Sequence, residues 1–320
     1  MKRRAIILIV FPFIATVNCL AFTSGLPTDT ILNRAMSAAE KYNELVESYT
    51  AQVYVRSYVE TIRKNFLYKY THLIPDFVLH DPDNDEALIE TISDLRYEYP
   101  NIYVQDIRHV TGTLTKKKEI DLIPFELLNI NIYGETTNEE SFFMPIRFST
   151  AKYYHYSLYQ TFTANDKTYY NIHFSPIYNN PKLLQGSFIV ERGTWRVIFF
   201  RGEGLDIFSD FSFEMTMGDE WITNYLPVSI TIYQKAAYLG NVLASRHLAS
   251  ISYKEISLRQ IQQPERSLNI SNSYKVRLDS VPLRSDSLFW EQIRPIPLQA
   301  RESDVITRYR QEQPTGEKPK

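Results

Sequence analysis

The sequence predicts an α+β protein that is mainly antiparallel β: a curved open sheet or half-barrel covered by an N-terminal helix. Three observations predict this class. Segments that alternate polar and apolar residues, rich in Tyr, Phe and β-branched side chains, recur along the chain. Short turns containing Asn, Asp or Gly separate the densest of these segments. One segment with helical periodicity precedes them, and no strand–helix alternation of the kind that builds parallel sheets follows.

The centre of the predicted sheet lies between residues 151 and 201, where four strands follow one another. Turns at Asn165-Asp166 and at Arg192-Gly193 connect the first strand to the second and the third to the fourth. Such pairs between alternating segments are the strongest hairpin signal in a sequence. The predicted strands are 153–160, Thr168–Phe174, Ser187–Glu191 and Trp195–Phe200.

The first 21 residues are predicted to be a secretory signal peptide rather than part of the fold. Three cationic residues, Lys2 to Arg4, precede the apolar stretch Ala5–Val17, and small residues precede a cleavage site after Ala21. The apolar stretch is short for a membrane span, although an uncleaved anchor is the alternative. The resulting organisation is a signal peptide over residues 1–21, one antiparallel-sheet domain over 22–302 and a disordered tail over 303–320.

Cys19 is the single cysteine of the chain. Cleavage after Ala21 would leave a mature protein without cysteine, and therefore without disulfides or zinc-thiolate sites. The alternative is a lipoprotein in which Cys19 becomes the acylated first residue, although Asn18 is unusual before such a cysteine. Both interpretations predict an exported protein, in the periplasm or on the periplasmic face of the outer membrane. No further apolar stretch predicts a transmembrane helix after the signal.

The remaining elements follow in chain order from periodicity. A helix with a Thr28 or Asp29 cap precedes a long strand that begins near Tyr49. Residues 87–99 fit a helix in part, but their cleaner alternation favours a long strand. Pro227 indicates an edge position or a bulge within a later strand. The predicted ranges are helix Thr28–Val46 and strands Phe66–Leu73, Ala87–Tyr99, Asn101–Val110, Asp206–Met217, Ile222–Tyr233 and Leu243–Leu258.

No sequence motif identifies a catalytic, metal or cofactor site. Nucleophile elbows, metalloprotease and phosphate-binding motifs are absent, so we expect no catalytic residue, metal or cofactor. The acidic loop 80–86 resembles a calcium loop but has Glu86 where the EF-hand requires glycine. His155 and His173 are expected to share a face of the sheet. Two histidines are too few ligands for a metal site. The net charge of −2 gives no basic patch, so no nucleic-acid partner is expected.

The aromatic strands suggest one binding surface. The chain has 23 Tyr and 18 Phe, and a curved sheet with such rings on its concave face can hold an apolar or sugar ligand. The alternative is that the rings pack against the N-terminal helix and one another. The predicted contacts are Tyr154, Tyr156, Tyr170, Phe174 and Trp195.

Four segments carry a resemblance to a known family: ILNRAMSAAEKYNELVESYTAQVYVRS (31–57), ALIETISDLRYEYPN (87–101), MPIRFSTAKYYHYSL (144–158) and DSLFWEQIRPIPLQARES (286–303). The chain resembles the periplasmic middle region of uncharacterised outer-membrane proteins from Bacteroidetes-type bacteria. Such proteins carry a carboxypeptidase-regulatory-like sandwich before this region and a transmembrane barrel after it. The chain departs from that pattern by lacking both flanking parts, so it is expected to be either a freestanding relative or a truncated gene.

The element layout is also similar to the half-barrel of LolA-like lipoprotein carriers, which is a fold-level analogy. The sequence therefore predicts a non-enzymatic periplasmic or outer-membrane-associated protein. Its curved aromatic sheet would bind a lipid, an acyl chain or a partner polypeptide. A carbohydrate-binding or accessory module of a nutrient-uptake system is the alternative, with Trp195 and Trp221 as the exposed rings. A hydrolase whose residues meet only on folding is the third hypothesis.

Overall fold

The structure is a computed structural model of the 320-residue chain. It describes ten ranges of the chain. The predicted signal peptide, the acidic loop 80–86 up to residue 84 and residue 221 lie outside them. The described ranges are 26–43, 45–68, 85–99, 102–113, 130–137, 142–205, 209–220, 223–259, 273–277 and 287–312.

The described residues form four helices and eleven strands. The helices are α1 (Thr28–Asn43), α2 (Phe148–Ala151), α3 (Ser287–Ile293) and α4 (Ala300–Glu312). The strands are β1 (Val46–Arg63), β2 (Glu86–Glu98), β3 (Ile102–Gly112), β4 (Tyr154–Ala164), β5 (Lys167–Pro176), β6 (Gln185–Glu191), β7 (Val197–Leu205), β8 (Ser209–Met217), β9 (Pro227–Tyr238), β10 (Asn241–Leu258) and β11 (Ser273–Arg277).

All eleven strands belong to one open sheet in the order β11-β3-β2-β1-β10-β9-β8-β7-β6-β5-β4. Every neighbouring pair is antiparallel except β11 with β3. From β4 to β10 the chain runs as a meander in which each strand pairs with the next. The long strand β1 pairs with β10, which lies far away in the sequence. The prediction of a mainly antiparallel open sheet is confirmed.

The turn chemistry matches the sequence closely. Asn165 and Asp166 both have positive φ, of 48° and 60°, as a two-residue hairpin turn requires. Gly193 turns β6 towards β7 with a φ of 100°. Pro227 begins β9 at a bulge in β9 itself: Thr216 pairs with Ser229 and Met217 with Pro227, which leaves Val228 as the extra residue, so the predicted bulge is confirmed. Proline is accepted there because it opens the strand, although β9 is an interior strand.

Helix α1 packs on one face of the sheet, here called the inner face. Ile31, Ala35 and Ala39 fall at helical spacing and are almost fully buried. They join one continuous core with inward-facing residues of the strands, among them Val53 and Phe200. The predicted helix reaches too far, because Val46 already begins β1. The covering role predicted for the N-terminal helix is confirmed.

Helices α3 and α4 pack on the opposite face, here called the outer face, over β1, β2 and β10. Trp290 is fully buried against Tyr54 and Ile92, and Val305 and Ile306 pack against Leu88. The prediction of a disordered tail from residue 303 is therefore wrong as far as Glu312, because the charged residues of α4 surround a small apolar stripe. The strand predicted over Phe66–Leu73 is also wrong for its first residues, which form a turn as far as Tyr68; the rest of that range lies outside the described part.

Gly112 ends β3 where no side chain fits. Its φ is 135°, and an added Cβ would lie 2.0 Å from the carbonyl oxygen of Leu88 on β2. We expect Gly112→Ala to lower the free energy of unfolding by about 1 to 3 kcal/mol, measured by chemical denaturation. The matched control is Gly193→Ala, which also has positive φ but no atom within 4 Å of the added Cβ. An equal loss in both variants would contradict the predicted clash.

Candidate functional site

The structure brings the five predicted contact rings together on the inner face. Tyr154 and Tyr156 lie on β4, Tyr170 and Phe174 on β5, and Trp195 follows the β6–β7 turn. Tyr156 pairs directly with Phe174 across the two strands. The rings of Tyr170 and Trp195 are parallel, with their centroids 6.1 Å apart. Alternation along β4 and β5 accounts for four of these residues, whereas Trp195 lies in the β6–β7 connection with a φ of 58°, outside the strand that was predicted to begin there.

These rings contact the chain's own residues. The Tyr154 hydroxyl donates to the Phe143 carbonyl at 2.5 Å, and burial raises the pKa of that hydroxyl to about 12. The Tyr156 hydroxyl donates to the Pro145 carbonyl at 2.6 Å. The guanidinium of Arg34 on α1 lies 4.9 Å from the centre of the Trp195 ring. Core packing, the alternative to a ligand groove, describes this arrangement, and ligand contact by the five residues stays a prediction.

The outer side of the β4–β5 hairpin carries a second set of rings that the sequence did not single out. Tyr159 stacks on His173, with centroids 4.6 Å apart and planes 9° apart. Phe162 stacks on Tyr169 at 5.3 Å. The ring of Tyr159 is 68% exposed, although tyrosine rings commonly pack. Alternation placed Tyr159 and His173 opposite the core, which was the available signal, but it assigned them no partner.

Strand β4 is one free edge of the sheet. Among the described residues it pairs with β5 alone, so one row of its backbone N–H and C=O groups has no ladder partner. The strand contains no Lys, Arg, Asp, Glu or Pro. The opposite edge, β11, has five residues and contains Lys275 and Arg277. The two edges thus differ in length and in charge.

A buried ion pair fixes α3 to the outer face. The Arg294 side chain donates through Nε and Nη2 to the two carboxylate oxygens of Glu90, at 2.8 and 2.6 Å. The Tyr54 hydroxyl donates to the same carboxylate at 2.5 Å, and burial with the nearby Glu90 charge raises the pKa of Tyr54. Glu90 is fully buried. Side chains from β1, from β2 and from the end of α3 therefore satisfy one another's hydrogen-bonding groups.

A second buried carboxylate fixes the start of α4. Glu302 accepts the backbone N–H of Gln299 at 2.8 Å, as the acidic member of a helix cap does. It also pairs with Arg56 at 3.5 Å and with Arg246. Arg56 in turn donates to the carbonyls of Ile296 and Pro297. The resemblance motif FWEQIRPIPL was the sequence signal for this region, and the structure gives its role: it joins the outer helices to the sheet.

In the described part of the chain, no three His, Cys, Asp or Glu side chains are close enough to hold a metal ion. His155 and His173 do share the outer face of neighbouring strands, as predicted, and His173 stacks on a ring instead. Among the described helices, none combines the length and apolar character that crossing a bilayer requires.

Comparison with known proteins identifies a family and distant structural likenesses. The family described as "Family of unknown function (DUF5686)" matches residues 31–254, more than half of the chain. No curated protein matches the sequence. A LolA superfamily protein from Nitrosomonas europaea is similar in structure at 12% identity and a TM-score of 0.26, covering 72% of this chain and 94% of its own.

Two further solved structures are similar at the same low level. A DUF1329 family protein from Desulfovibrio piger has 8% identity and a TM-score of 0.28, with 74% of this chain and 95% of its own covered. The MucA/MucB complex structure from Pseudomonas aeruginosa has 6% identity and a TM-score of 0.19, with 69% and 94% covered. Likenesses at TM-scores this low carry no weight for function.

Proposed function

The chain belongs to the DUF5686 family, a family of unknown function, and we propose that it is an exported, non-enzymatic envelope protein that binds an extended segment of a partner polypeptide. The observation that carries this proposal is the free, uncharged edge strand β4 (Tyr154–Ala164). An exposed edge offers backbone donors and acceptors to any extended chain that lies beside it. In that binding mode, backbone hydrogen bonds supply affinity and neighbouring side chains supply specificity.

Apart from one bulge, strand β4 lacks the features that usually protect an edge. Natural sheets block edge pairing with charged residues, proline, very short strands or bulges. β4 has eleven residues without charge or proline, and its one irregularity is a bulge between Leu158 and Gln160. The bulge leaves regular segments on both sides, Tyr154–Leu158 and Gln160–Ala164. Each is long enough to pair with a short strand of a partner.

The edge strand at the other side of the sheet, β11, differs from β4 in length and charge. β11 is short, and two of its residues, Lys275 and Arg277, are cationic. Arg277 lies 3.7 Å from Asp106 on β3, so charge is arranged across that edge. An edge of this kind discourages pairing with another chain. Within the described sheet, the feature that invites a partner strand is therefore confined to β4.

The outer rings beside β4 supply side-chain contacts for a bound segment. Tyr159 and Phe162 lie on the edge strand itself, and each stacks on a ring of β5. Because stacking holds these rings in place, a partner would find an aromatic surface that is already ordered. Exposed aromatic side chains are typical of the residues that dominate binding energy at interfaces. The aromatic pairs would favour a partner segment that carries apolar side chains on one face.

The cellular setting rests on the sequence. The predicted signal peptide over residues 1–21, with acylation at Cys19 as the alternative, supports export. The resemblance to the middle region of outer-membrane proteins supports the periplasm or the periplasmic face of the outer membrane. The same resemblance, which is to proteins that carry an outer-membrane barrel, makes such a barrel one candidate for the source of the partner segment. The absence of catalytic motifs supports a binding role rather than an enzymatic one.

An acyl chain and a sugar are the alternative ligands for the same sheet. An acyl chain on the inner rings would have to displace the contacts that Tyr154 and Trp195 make with the chain's own residues. A sugar is favoured by one observation, the flat and exposed stack of Tyr159 on His173. Glycan-array binding that is lost in Tyr159→Ala would establish the sugar alternative. Trp195 lies between Tyr170 and Arg34, which leaves Tyr159 as the better ring for that role.

Adding charge to the edge is expected to abolish polypeptide binding. The variant Ser157→Lys with Thr161→Lys places lysines at two exposed positions of β4. We expect at least ~10-fold weaker binding of peptides selected on the wild-type protein from a displayed library, because a partner strand would have to desolvate both ammonium groups. Dissociation constants from isothermal titration measure the effect, and exposed substitutions of this kind should change stability by only about 0.5 kcal/mol.

The matched control carries the same charge on interior strands. Ser175→Lys with Thr216→Lys alters exposed positions of β5 and β8, which are not edges. This control is expected to bind the selected peptides as the wild type does. The proposal is wrong if the edge variant retains full affinity, if the control loses as much, or if selection yields no binding peptide. Self-association of the wild type through β4 would replace the proposed partner with a second copy of the chain.

A further inference from the structure

Half of the exposed large apolar side chains in the described part of the chain lie at one end of the sheet. Strands β1, β5, β7 and β9 end there, and β6, β8 and β10 begin there. Ile62 and Phe66, at the end of β1, are 57% and 83% exposed. Leu239, in the β9–β10 turn, is 44% exposed. A second group at this end consists of the exposed residues Ile177, Tyr178 and Leu205.

The opposite end of the sheet has a different character. Its described turns carry exposed polar residues: Asn165, Asp166, Arg192, Thr194, Asp219 and Glu220. The one exposed large apolar side chain among the described residues of that end is Leu258. Scattered surface hydrophobic residues need no explanation, but an accumulation at one end marks an interaction site.

Ile62, Phe66 and Leu239 form a defined unit, here called the apolar tip. The Asn65 side chain donates to the Leu239 carbonyl at 2.9 Å, and its backbone N–H donates to the Asn241 side chain at 2.8 Å. Arg63 Nε donates to the Gly240 carbonyl at 2.7 Å. These bonds join the end of β1 to the β9–β10 turn. The tip is therefore held by a hydrogen-bonded backbone and presents its apolar side chains outward.

The conformation of Leu239 is a second, independent observation. Its φ is 47°, and Gly240 follows with a φ of 78°. Asn, Asp and Gly favour the first position of such a turn, whereas a bulky residue with positive φ is an outlier. The equivalent turn at the opposite end uses Asn165. An exposed leucine in this place lacks both the local hydrogen bonding of asparagine and the shelter of a core, so a contact outside the chain is its most direct explanation.

We propose that the apolar tip docks the protein onto the surface of an anionic lipid bilayer. The sequence between Ile62 and Phe66 is Arg63-Lys64-Asn65, so two cations lie between the two most exposed apolar residues of the tip. Asp85 pairs with Lys64 at 3.3 Å and offsets part of this charge. Apolar side chains that insert at the headgroup boundary, with cations beside them, are the pattern of interfacial membrane binding. Electrostatic attraction to anionic lipids adds to the apolar contribution.

The arrangement favours a lipid surface over a small ligand. The apolar residues at this end come from β1, the β9–β10 turn, β7 and the β5–β6 connection. Six strand spacings separate β1 from β5, which is roughly 29 Å across the sheet. A planar surface can meet residues spread over that width, and a single small molecule cannot. The tip is also distinct from the β4 edge, so membrane docking and polypeptide binding could occur together.

Vesicle flotation of the full mature chain tests the proposal. The expected result is binding to vesicles of equal parts phosphatidylglycerol and phosphatidylcholine, weaker binding to phosphatidylcholine alone, and weakening by salt. Phe66→Ser is expected to lower the partition coefficient at least ~10-fold, because a largely exposed phenylalanine would no longer insert. Leu239→Asn should lower it several-fold while leaving the fold intact, because asparagine suits the positive φ.

The controls decide between lipid docking and a general effect of apolar loss. Leu258→Asn changes an exposed leucine at the opposite end of the sheet and should bind vesicles as the wild type does. Thermal unfolding of Leu239→Asn should show equal or higher stability, which separates docking from folding. The proposal is overturned if the wild type does not float with anionic vesicles, or if both tip variants bind unchanged. It is also overturned if Leu258→Asn loses as much binding as they do, or if the tip instead causes self-association without lipid.

Discussion

Replacing Arg294 with methionine is expected to lower the free energy of unfolding by about 3 to 5 kcal/mol. Arg294 donates two hydrogen bonds to Glu90, whose side chain is fully buried between the outer face and α3. Without the guanidinium, Glu90 would keep the Tyr54 hydroxyl as a donor but would lose its countercharge. A buried carboxylate without a countercharge is among the most costly single defects in a protein interior.

Guanidinium denaturation measures the loss, and two variants serve as controls. Arg201→Met removes an exposed arginine that pairs with Glu203, and should cost no more than about 1 kcal/mol. Glu90→Gln combined with Arg294→Met should be more stable than Arg294→Met alone, because no buried charge is left unpaired. The account of the buried pair fails if Arg294→Met is no more costly than Arg201→Met.

The location of this ion pair gives the prediction a second readout. Arg294 lies between α3 and α4, so its loss should first release these helices from the outer face. We expect limited proteolysis of Arg294→Met to cleave within residues 287–312 before it cleaves the strands. Cleavage that begins in β4–β5 instead would contradict the role of the pair in holding the helices.

Lowering the pH from 6.5 to about 4 is expected to lower the free energy of unfolding by about 3 kcal/mol, because one buried histidine resists protonation in the folded state. Burial lowers the pKa of His247 from 6.5 to about 4. Its ring lies on the inner face, within hydrogen-bonding distance of the Ser57 and Ser245 hydroxyls at 2.8 and 3.0 Å. The folded state holds the neutral ring, whereas the unfolded state takes up a proton below its own pKa. Stability is therefore full above pH 6.5 and falls as the pH drops towards 4.

The pH dependence of the unfolding free energy isolates this contribution. Carboxylates with lowered pKa values, such as Glu191 and Asp94, also lose stabilising charge in acid, so the comparison must be between variants. His247→Gln should flatten the slope between pH 6.5 and 4 relative to the wild type. His155→Gln, which changes an exposed histidine, should keep the wild-type slope. Equal slopes in all three proteins would show that His247 is not held neutral by burial.

The strands of this protein were predictable because polar and apolar residues alternate along each of them. Residues 87–99 illustrate this: their alternation favoured a strand over a helix, and β2 occupies Glu86–Glu98. The Asn165-Asp166 turn was equally local, since its residue types favour positive φ. The inner position of Tyr154 and Tyr170 followed from the same period of two. These features depend on neighbours in the chain, and one sequence is sufficient to read them.

The features that the sequence did not predict depend on contacts between residues that are far apart in the chain. Residues 303–312 have a charged composition that predicts disorder, yet α4 forms because Val305 and Ile306 find Leu88 on β2. The Arg294–Glu90 pair joins residues separated by 204 positions. Neither contact has a local signal. Composition alone cannot distinguish a charged tail in solvent from a charged helix whose few apolar residues meet a sheet.

The candidate sites were hidden for a related reason. Alternation assigns a residue to a face, but the strand order decides which strand lies at the edge. That order leaves β4 unpaired on one side, because β1 pairs with β10 and not with β4. The apolar tip likewise needs the antiparallel topology, which brings Phe66 and Leu239 to one end. Both surfaces therefore become visible only when the sheet is assembled.

Hydrogen exchange of the full mature chain, with and without a peptide selected for binding, tests the central proposal most directly. Binding along the free edge predicts slower exchange of alternate backbone amides in Tyr154–Ala164, since one row of N–H groups gains a partner. Exchange in β11 and at the apolar tip should stay unchanged. Protection that appears on the inner face or at the tip, with β4 unaffected, would contradict binding at this edge.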